Sequence, residues 1–362
     1  MDEIRTEGPV AGGSVRTAAD AGAPEVSVGA PEKDRGVANV ASVIPRSQAT
    51  VGASVGVREG QTFAGESLVA RYASFVKLPH TLFTLPFAGV GVVLGSHVNP
   101  RGISMGAVFW ILIAFTSARF AAMGFNRIVD RYYDALNPRT RMRELPSGRL
   151  SLFQANSAVA VAAGIFIFAA WRLNPLCGWL APAALFWIFF YSYTKRFTAG
   201  AHAVLGFALA IAPVGAYLAV TGAWSRPWWA LLVLAAGVTF WSAGFDIIYA
   251  LQDESFDREH GLHSIPARLG ARRALVVARV FHALSVSAFL TLWLLDLFPV
   301  GWIYLGGVAL MAALLVAENV IVRDQWRGSL DLRRIDQAFF RMNVGISTGF
   351  LAFALLDRLI LG

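Results

Sequence analysis

Asn126-Arg-Ile-Val-Asp130-Arg-Tyr-Tyr-Asp134-Ala-Leu-Asn137-Pro138-Arg139-Thr140, followed by Arg141, Arg143 and Pro146-Ser-Gly148, continues directly out of a long apolar run. Asn126, Asp130 and Asp134 are spaced by four, so a helix leaving that run carries all three on one face, one turn above the next. Carboxylates and arginines at the end of an apolar segment are costly beside a bilayer, and their default reading is a functional site. The plainer alternative is a polar helix cap followed by a solvated charge run.

The surrounding composition fits a membrane. Of 362 residues, 56% are hydrophobic and 15% charged, well below the quarter usual for soluble domains. Mean hydropathy is +0.56. The net charge of +8 is uneven, with residues 1–66 at −3 and residues 67–362 at +11. The first 66 residues are rich in Gly, Ala, Ser, Val and Pro and show no sustained periodicity, so they are expected to form a disordered tail. The basic remainder suits anionic headgroups or an anionic ligand and requires no nucleic acid. Cys177, the lone cysteine, reads as a small apolar residue.

Apolar runs near 78–96, 104–126, 154–171, 176–193, 202–222, 227–248, 274–295, 299–321 and 339–360 have roughly the 20-residue length that spans a bilayer. The expected fold is therefore an all-α bundle of nine transmembrane helices over residues 67–362. Sixteen Arg and Lys residues fall in the loops after even-numbered spans, against Arg101, Arg172 and Arg226 on the opposite side. That asymmetry puts the even loops in the cytoplasm. In a bacterial-type cell, the active site would face the cytoplasm from the inner membrane. Glu318 and Asp296 read as interfacial span ends.

A second acid-rich stretch leaves the membrane on the same side, four helices later: Asp246-Ile-Ile-Tyr249-Ala-Leu-Gln-Asp253-Glu-Ser-Phe-Asp257. Two such stretches suggest a weak internal repeat. Anions clustered at helix C-termini are unfavourable unless cations lie between them. Carboxylate and amide oxygens without a Cys/His cluster suit Mg²⁺, which usually completes its shell with substrate phosphates, and neighbouring Arg and Lys suit the remaining phosphate oxygens. His260 and His263 lack zinc-ligand spacing. A diphosphate head against an apolar bundle describes a polyprenyl diphosphate.

The two arrays, with Asn137-Pro-Arg-Thr140 and Tyr191-Ser-Tyr-Thr-Lys195-Arg196-Phe-Thr198 between them, resemble the UbiA superfamily of intramembrane prenyltransferases over roughly residues 70–360. The resemblance is strongest to the 4-hydroxybenzoate polyprenyltransferase-like group. Tyr249-Ala-Leu-Gln-Asp253, Gly261-Leu-His263-Ser-Ile-Pro266 and Phe75-Val-Lys77-Leu-Pro79-His80 are similar to its menaquinone (futalosine-route) subgroup. His263 stands where ubiquinone-pathway enzymes usually carry lysine. The resemblance implies Mg²⁺-dependent prenyl transfer to an aromatic acid, of 4-hydroxybenzoate or dihydroxynaphthoate type. Haem, chlorophyll or lipid-ether acceptors, or an organic-anion transporter, are the alternatives.

On that basis Asn126, Asp130, Asp134, Asp253 and Asp257 form the expected metal set. Asp246 fits either a further ligand or the base that deprotonates an acceptor hydroxyl. Arg139, Arg143 and Lys195 are expected diphosphate contacts, Arg196 an acceptor-carboxylate contact, and Tyr249 a cation–π shield for an allylic cation. Lys77 and His80 carry less weight, since snorkelling explains them equally well.

Overall fold

In the computed structural model, the described residues are 67–77, 81–99, 102–326 and 332–361. The expected tail over 1–66 and His80 lie outside them. Every regular element among the described residues is helical. A short helix α1 (Leu68–Phe75) precedes α2 (Thr81–Val98), α3 (Met105–Leu136), α4 (Leu152–Leu173), α5 (Pro175–Thr194), α6 (Ala201–Thr221) and α7 (Ala230–Ala250). Two short helices follow, α8 (Glu254–Glu259) and α9 (Ile265–Leu269), and then α10 (Ala271–Leu294), α11 (Trp302–Trp326) and α12 (Leu332–Ile360). Eight of these helical segments are long and apolar enough to cross a membrane, and Thr84–Val98 within α2 is a shorter apolar stretch.

Local chemistry sets the helix ends. Ser151 and Gln154 form a reciprocal capping box at the start of α4. Asn174 caps α5 just ahead of Pro175, while its amide donates to Leu218 at the far end of α6. Gly222 closes α6 in the left-handed region, at φ 66°. α3 does not stop at the apolar boundary. It runs to Leu136 and carries Asn126, Asp130 and Asp134 on one continuous helix, as the spacing predicts.

α7 is the central post. Its apolar stretch is 67% buried, against 22–39% for the other candidate spans, so it contacts protein over more of its surface than they do. It packs on α6 and on α10, while α3, α4, α5 and α6 neighbour one another in order and α2 joins α6 to α12. An aromatic cluster ties this side together: Phe87 lies 4.6 Å from Trp241 and Phe289 lies 4.8 Å from Phe350, ring centre to ring centre. Such pairs add about 0.5–1.5 kcal/mol each beyond burial. Glu318, expected at an interface, is instead buried within α11, and Asn343 of α12 donates to it at 3.4 Å. The physical reason is its helix face, which points at α12 and not at lipid or water.

The segment after α3 is held from below. Glu144 is 1% exposed and accepts a 2.6 Å hydrogen bond from Ser74 of α1. Deeper in the bundle, Gly91 of α2 touches the carbonyl of Pro213 in α6 so closely that any side chain would collide with backbone. Gly91→Ala is therefore expected to force these helices apart at a cost of about 1–3 kcal/mol. The check is a lowered thermal midpoint in detergent, and an unchanged midpoint would contradict the close crossing.

Candidate active site

Both acid-rich segments line one cavity of about 270 Å³. Its wall includes Asn126, Asp130 and Asp134 from α3; Arg139 and Arg143 from the following turn; Tyr191, Lys195 and Arg196 at the end of α5; and Asp246, Tyr249, Asp253 and Asp257 from the second segment. All the sequence-predicted site residues thus meet in one place. The second segment differs from a plain helix. α7 ends at Ala250, the chain tightens into a 3₁₀ turn over Leu251–Asp253, and α8 resumes at Glu254. The tighter turn re-aims Asp253 at the segment following α3.

There it meets Arg139. The guanidinium donates through Nε to Asp253 Oδ1 at 3.1 Å and through Nη2 to Oδ2 at 2.6 Å, a two-bond fork. Asn137 adds a third donor to Oδ1 at 3.1 Å, and its own side-chain oxygen accepts from the Arg139 amide at 2.9 Å. The Asn-Pro-Arg turn is thereby folded onto the second segment. Arg139 also donates to the Tyr249 hydroxyl at 3.1 Å, and both Arg139 and Lys77 approach the Tyr249 ring, at 5.5 and 5.8 Å.

The remaining carboxylates follow the same pattern, with one exception. Arg143 reaches Asp134 at 2.6 Å, Lys195 reaches Asp257 at 3.3 Å and Arg196 reaches Asp130 at 3.8 Å. Asn126 donates to Asp130 at 2.9 Å. Burial alone would lower the Lys195 pKa, but Asp257, Asp253, Asp246 and Asp130 outweigh it and raise it above the ordinary lysine value. Asp246 is the exception, because its hydrogen-bond partner is the His202 imidazole at 2.6 Å. Arg196 is further engaged, donating to the Val129 carbonyl at 2.7 Å between the Tyr133 and Tyr193 rings.

The cavity wall holds five aspartates and seven Arg or Lys residues, so it favours an anionic ligand. Among the described residues, no three His, Cys, Asp or Glu groups form a metal cage. The all-oxygen donors, split between two facing segments, fit a hard cation whose shell is completed by phosphate.

A second cavity of about 460 Å³, lined mainly by Ala, Leu, Ile and Phe, adjoins the first. Arg119, Tyr191, Leu205 and Leu209 line both. Arg119 escaped the sequence reading, although a lone arginine in mid-span, two turns before Asn126, was the available signal. Its Nε is buried without a hydrogen-bond partner among the described residues. His202 was also missed, since one histidine at a helix start carries no pattern. His263 is exposed, and only its backbone nitrogen reaches the Lys195 carbonyl, at 2.6 Å.

Comparison with known proteins agrees with this arrangement. The UbiA prenyltransferase family model matches residues 84–344. A 4-hydroxybenzoate octaprenyltransferase from Cupriavidus metallidurans is 30% identical over 267 residues, covering 73% of this chain and 88% of the relative. One from Cupriavidus necator is 32% identical, covering 61% and 75%. The apo structure of a UbiA homolog from Aeropyrum pernix K1 superposes with a TM-score of 0.68 at 31% identity, covering 77% of this chain and 98% of that one. A UbiA homolog from Archaeoglobus fulgidus bound to DMAPP and Mg²⁺ shares the fold, with a TM-score of 0.64 at 19% identity and coverage of 80% and 100%.

Arg139 and Asp253 share two hydrogen bonds, so their removal should be non-additive. A double-mutant cycle with Arg139→Leu and Asp253→Leu, read by thermal unfolding without ligand, is expected to give a coupling of about 0.5–3 kcal/mol. Additive effects would mean the fork does not join the two segments.

Proposed function

The chain belongs to the UbiA prenyltransferase family, and from that premise we propose that it transfers a polyprenyl chain from polyprenyl diphosphate to an aromatic hydroxy acid of 4-hydroxybenzoate or dihydroxynaphthoate type. The product would serve ubiquinone or menaquinone biosynthesis. The observation that carries this reading is the direct junction of a cation-rich polar cavity with an apolar one. A diphosphate fits the first and a hydrocarbon chain the second. The names of the octaprenyltransferase relatives support an aromatic acceptor. The prenyl diphosphates and Mg²⁺ held by the Archaeoglobus homologue support the donor and the metal. In this reading the protein lies in the cell membrane with both acidic segments facing the cytoplasm, and residues 67–362 suffice for the reaction.

Bound Mg²⁺ would neutralise charge developing on the departing diphosphate, held by Asn126, Asp130, Asp134, Asp253 and Asp257. Arg139, Arg143 and Lys195 would meet the phosphate oxygens that the metal leaves free. The allylic C1–O bond breaks, its electron pair leaving with diphosphate, and a ring carbon beside the acceptor hydroxyl bonds to C1. That carbon then loses its proton to water or diphosphate, restoring the aromatic ring. Tyr249 would face the allylic cation across the cavity.

Asp246 is assigned as the base. The other four cavity aspartates each have an Arg or Lys partner, whereas Asp246 has a histidine. With no Arg or Lys hydrogen-bonded to it, its carboxylate is better suited to accept the acceptor's hydroxyl proton and to return it as the ring rearomatises. Arg119 and Arg196 are both suited to the acceptor carboxylate. Arg119 is the stronger candidate, because Arg196 is already engaged with Val129 and Asp130.

The test is incubation of the purified full chain with Mg²⁺, geranyl diphosphate and each aromatic acid. Prenylated acid should form, and neither acceptor reacting would remove the proposal. Asp130→Ala and Asp253→Ala should each lower turnover on the order of a hundredfold or more, and chelation should abolish it reversibly. Arg119→Ala should raise the acceptor KM and leave the prenyl diphosphate KM unchanged. Deleting residues 1–66 should leave turnover intact.

A further inference from the structure

His202 sits at the second position of α6 and is fully buried, with no part in the chemistry described so far. Its ring bridges three elements. Nδ1 lies 2.6 Å from Asp246 Oδ2 on α7, and Nε2 lies 3.2 Å from the backbone nitrogen of Ile265, the first residue of α9. A peptide N–H can only donate, so Nε2 must supply the lone pair. The imidazole is then neutral, with its proton on Nδ1 donated to Asp246. A second proton, on Nε2, would set N–H against N–H.

The surrounding packing makes this contact rigid. One turn along α6, Gly206 lies so close to the Thr239 carbonyl of α7 that a side chain would collide with it. α6 and α7 are therefore locked together one turn from His202. On its other side, His202 anchors the start of α9, immediately after the loop whose His263 nitrogen donates to the Lys195 carbonyl and whose Leu262 nitrogen donates to the Asp257 backbone carbonyl. Asp246 Oδ1 has no hydrogen-bond partner among the described residues, and Asp246 lines the polar cavity.

We infer that His202 is a positioning residue for prenyl transfer. Its Nδ1–H pins one oxygen of Asp246 so that the other is presented to the acceptor hydroxyl. Its Nε2 fixes the ring by accepting from the Ile265 amide. The inference rests on Asp246 being the base.

Two amide substitutions divide the histidine's two bonds. His202→Asn puts an N–H near Nδ1 and keeps the bond to Asp246, whereas His202→Gln puts an oxygen near Nε2 and keeps only the bond from Ile265. The probes are geranyl diphosphate, Mg²⁺ and 4-hydroxybenzoate with the purified full chain. Asn should hold kcat within about threefold, while Gln should lower it by about tenfold to a hundredfold, as a misplaced group does. The prenyl diphosphate KM should not change in either variant. With a fluorinated 4-hydroxybenzoate, whose hydroxyl is more acidic, the Gln deficit relative to wild type should shrink. Gln equal to wild type, or equal Asn and Gln deficits insensitive to acceptor acidity, would overturn the inference.

Asp246→Asn separates the two readings. If it keeps wild-type kcat, Asp246 is not the base. If it loses kcat while Gln does not, only the role of His202 fails. Should either amide variant not fold, ¹⁵N spectra of the six histidines in the wild-type protein give an independent answer. A neutral ring protonated at Nδ1 is expected for His202, and an Nε2-protonated or doubly protonated ring would refute it.

Discussion

The fork between Arg139 and Asp253 is the constraint on which the site depends. The two acidic segments lie more than a hundred residues apart, at the ends of different helices. Each alone would be a cluster of anions at a helix C-terminus, where the backbone already carries partial negative charge. Arg139 joins them, and Asn137 turns the chain so that the Arg139 guanidinium reaches both carboxylate oxygens. The rest of the polar cavity closes around that link.

Around it the bundle sorts charge by function. Four aspartates have basic partners, which spares them the cost of standing unpaired in a low-dielectric wall. The fifth, Asp246, has a neutral imidazole and keeps an oxygen available. Arg119 lies where the polar and apolar cavities meet. The difference among these groups lies in what stands next to each, and in the proposed function it would separate residues that hold a leaving group from one suited to move a proton.

Much of this was legible in the residues themselves. The four-residue spacing of Asn126, Asp130 and Asp134 survives because α3 is one uninterrupted helix. Asp253 and Asp257 line one cavity, although the intervening 3₁₀ turn could not be read from their spacing. Pairing was the harder part. Nothing in the order of residues says that Arg139 reaches Asp253 while Arg143 reaches Asp134, because that depends on how one turn packs across another. His202 and Glu318 were illegible or misread for the same reason: a single polar residue in an apolar helix acquires meaning only from the neighbour it faces.

The internal ion pairs have a consequence for the catalytic cycle. Four of the five cavity aspartates bring their own counter-charges, so these carboxylates are already paired before any anion arrives. In the proposed function each incoming phosphate would compete with an aspartate for its arginine or lysine, so the net grip on diphosphate would be a difference between two similar attractions. Once the hydrocarbon chain had left it, the diphosphate would lose its apolar anchorage, and the aspartates would be placed to reclaim their partners. The same pairs that neutralise the cavity wall would then also favour release of the spent product.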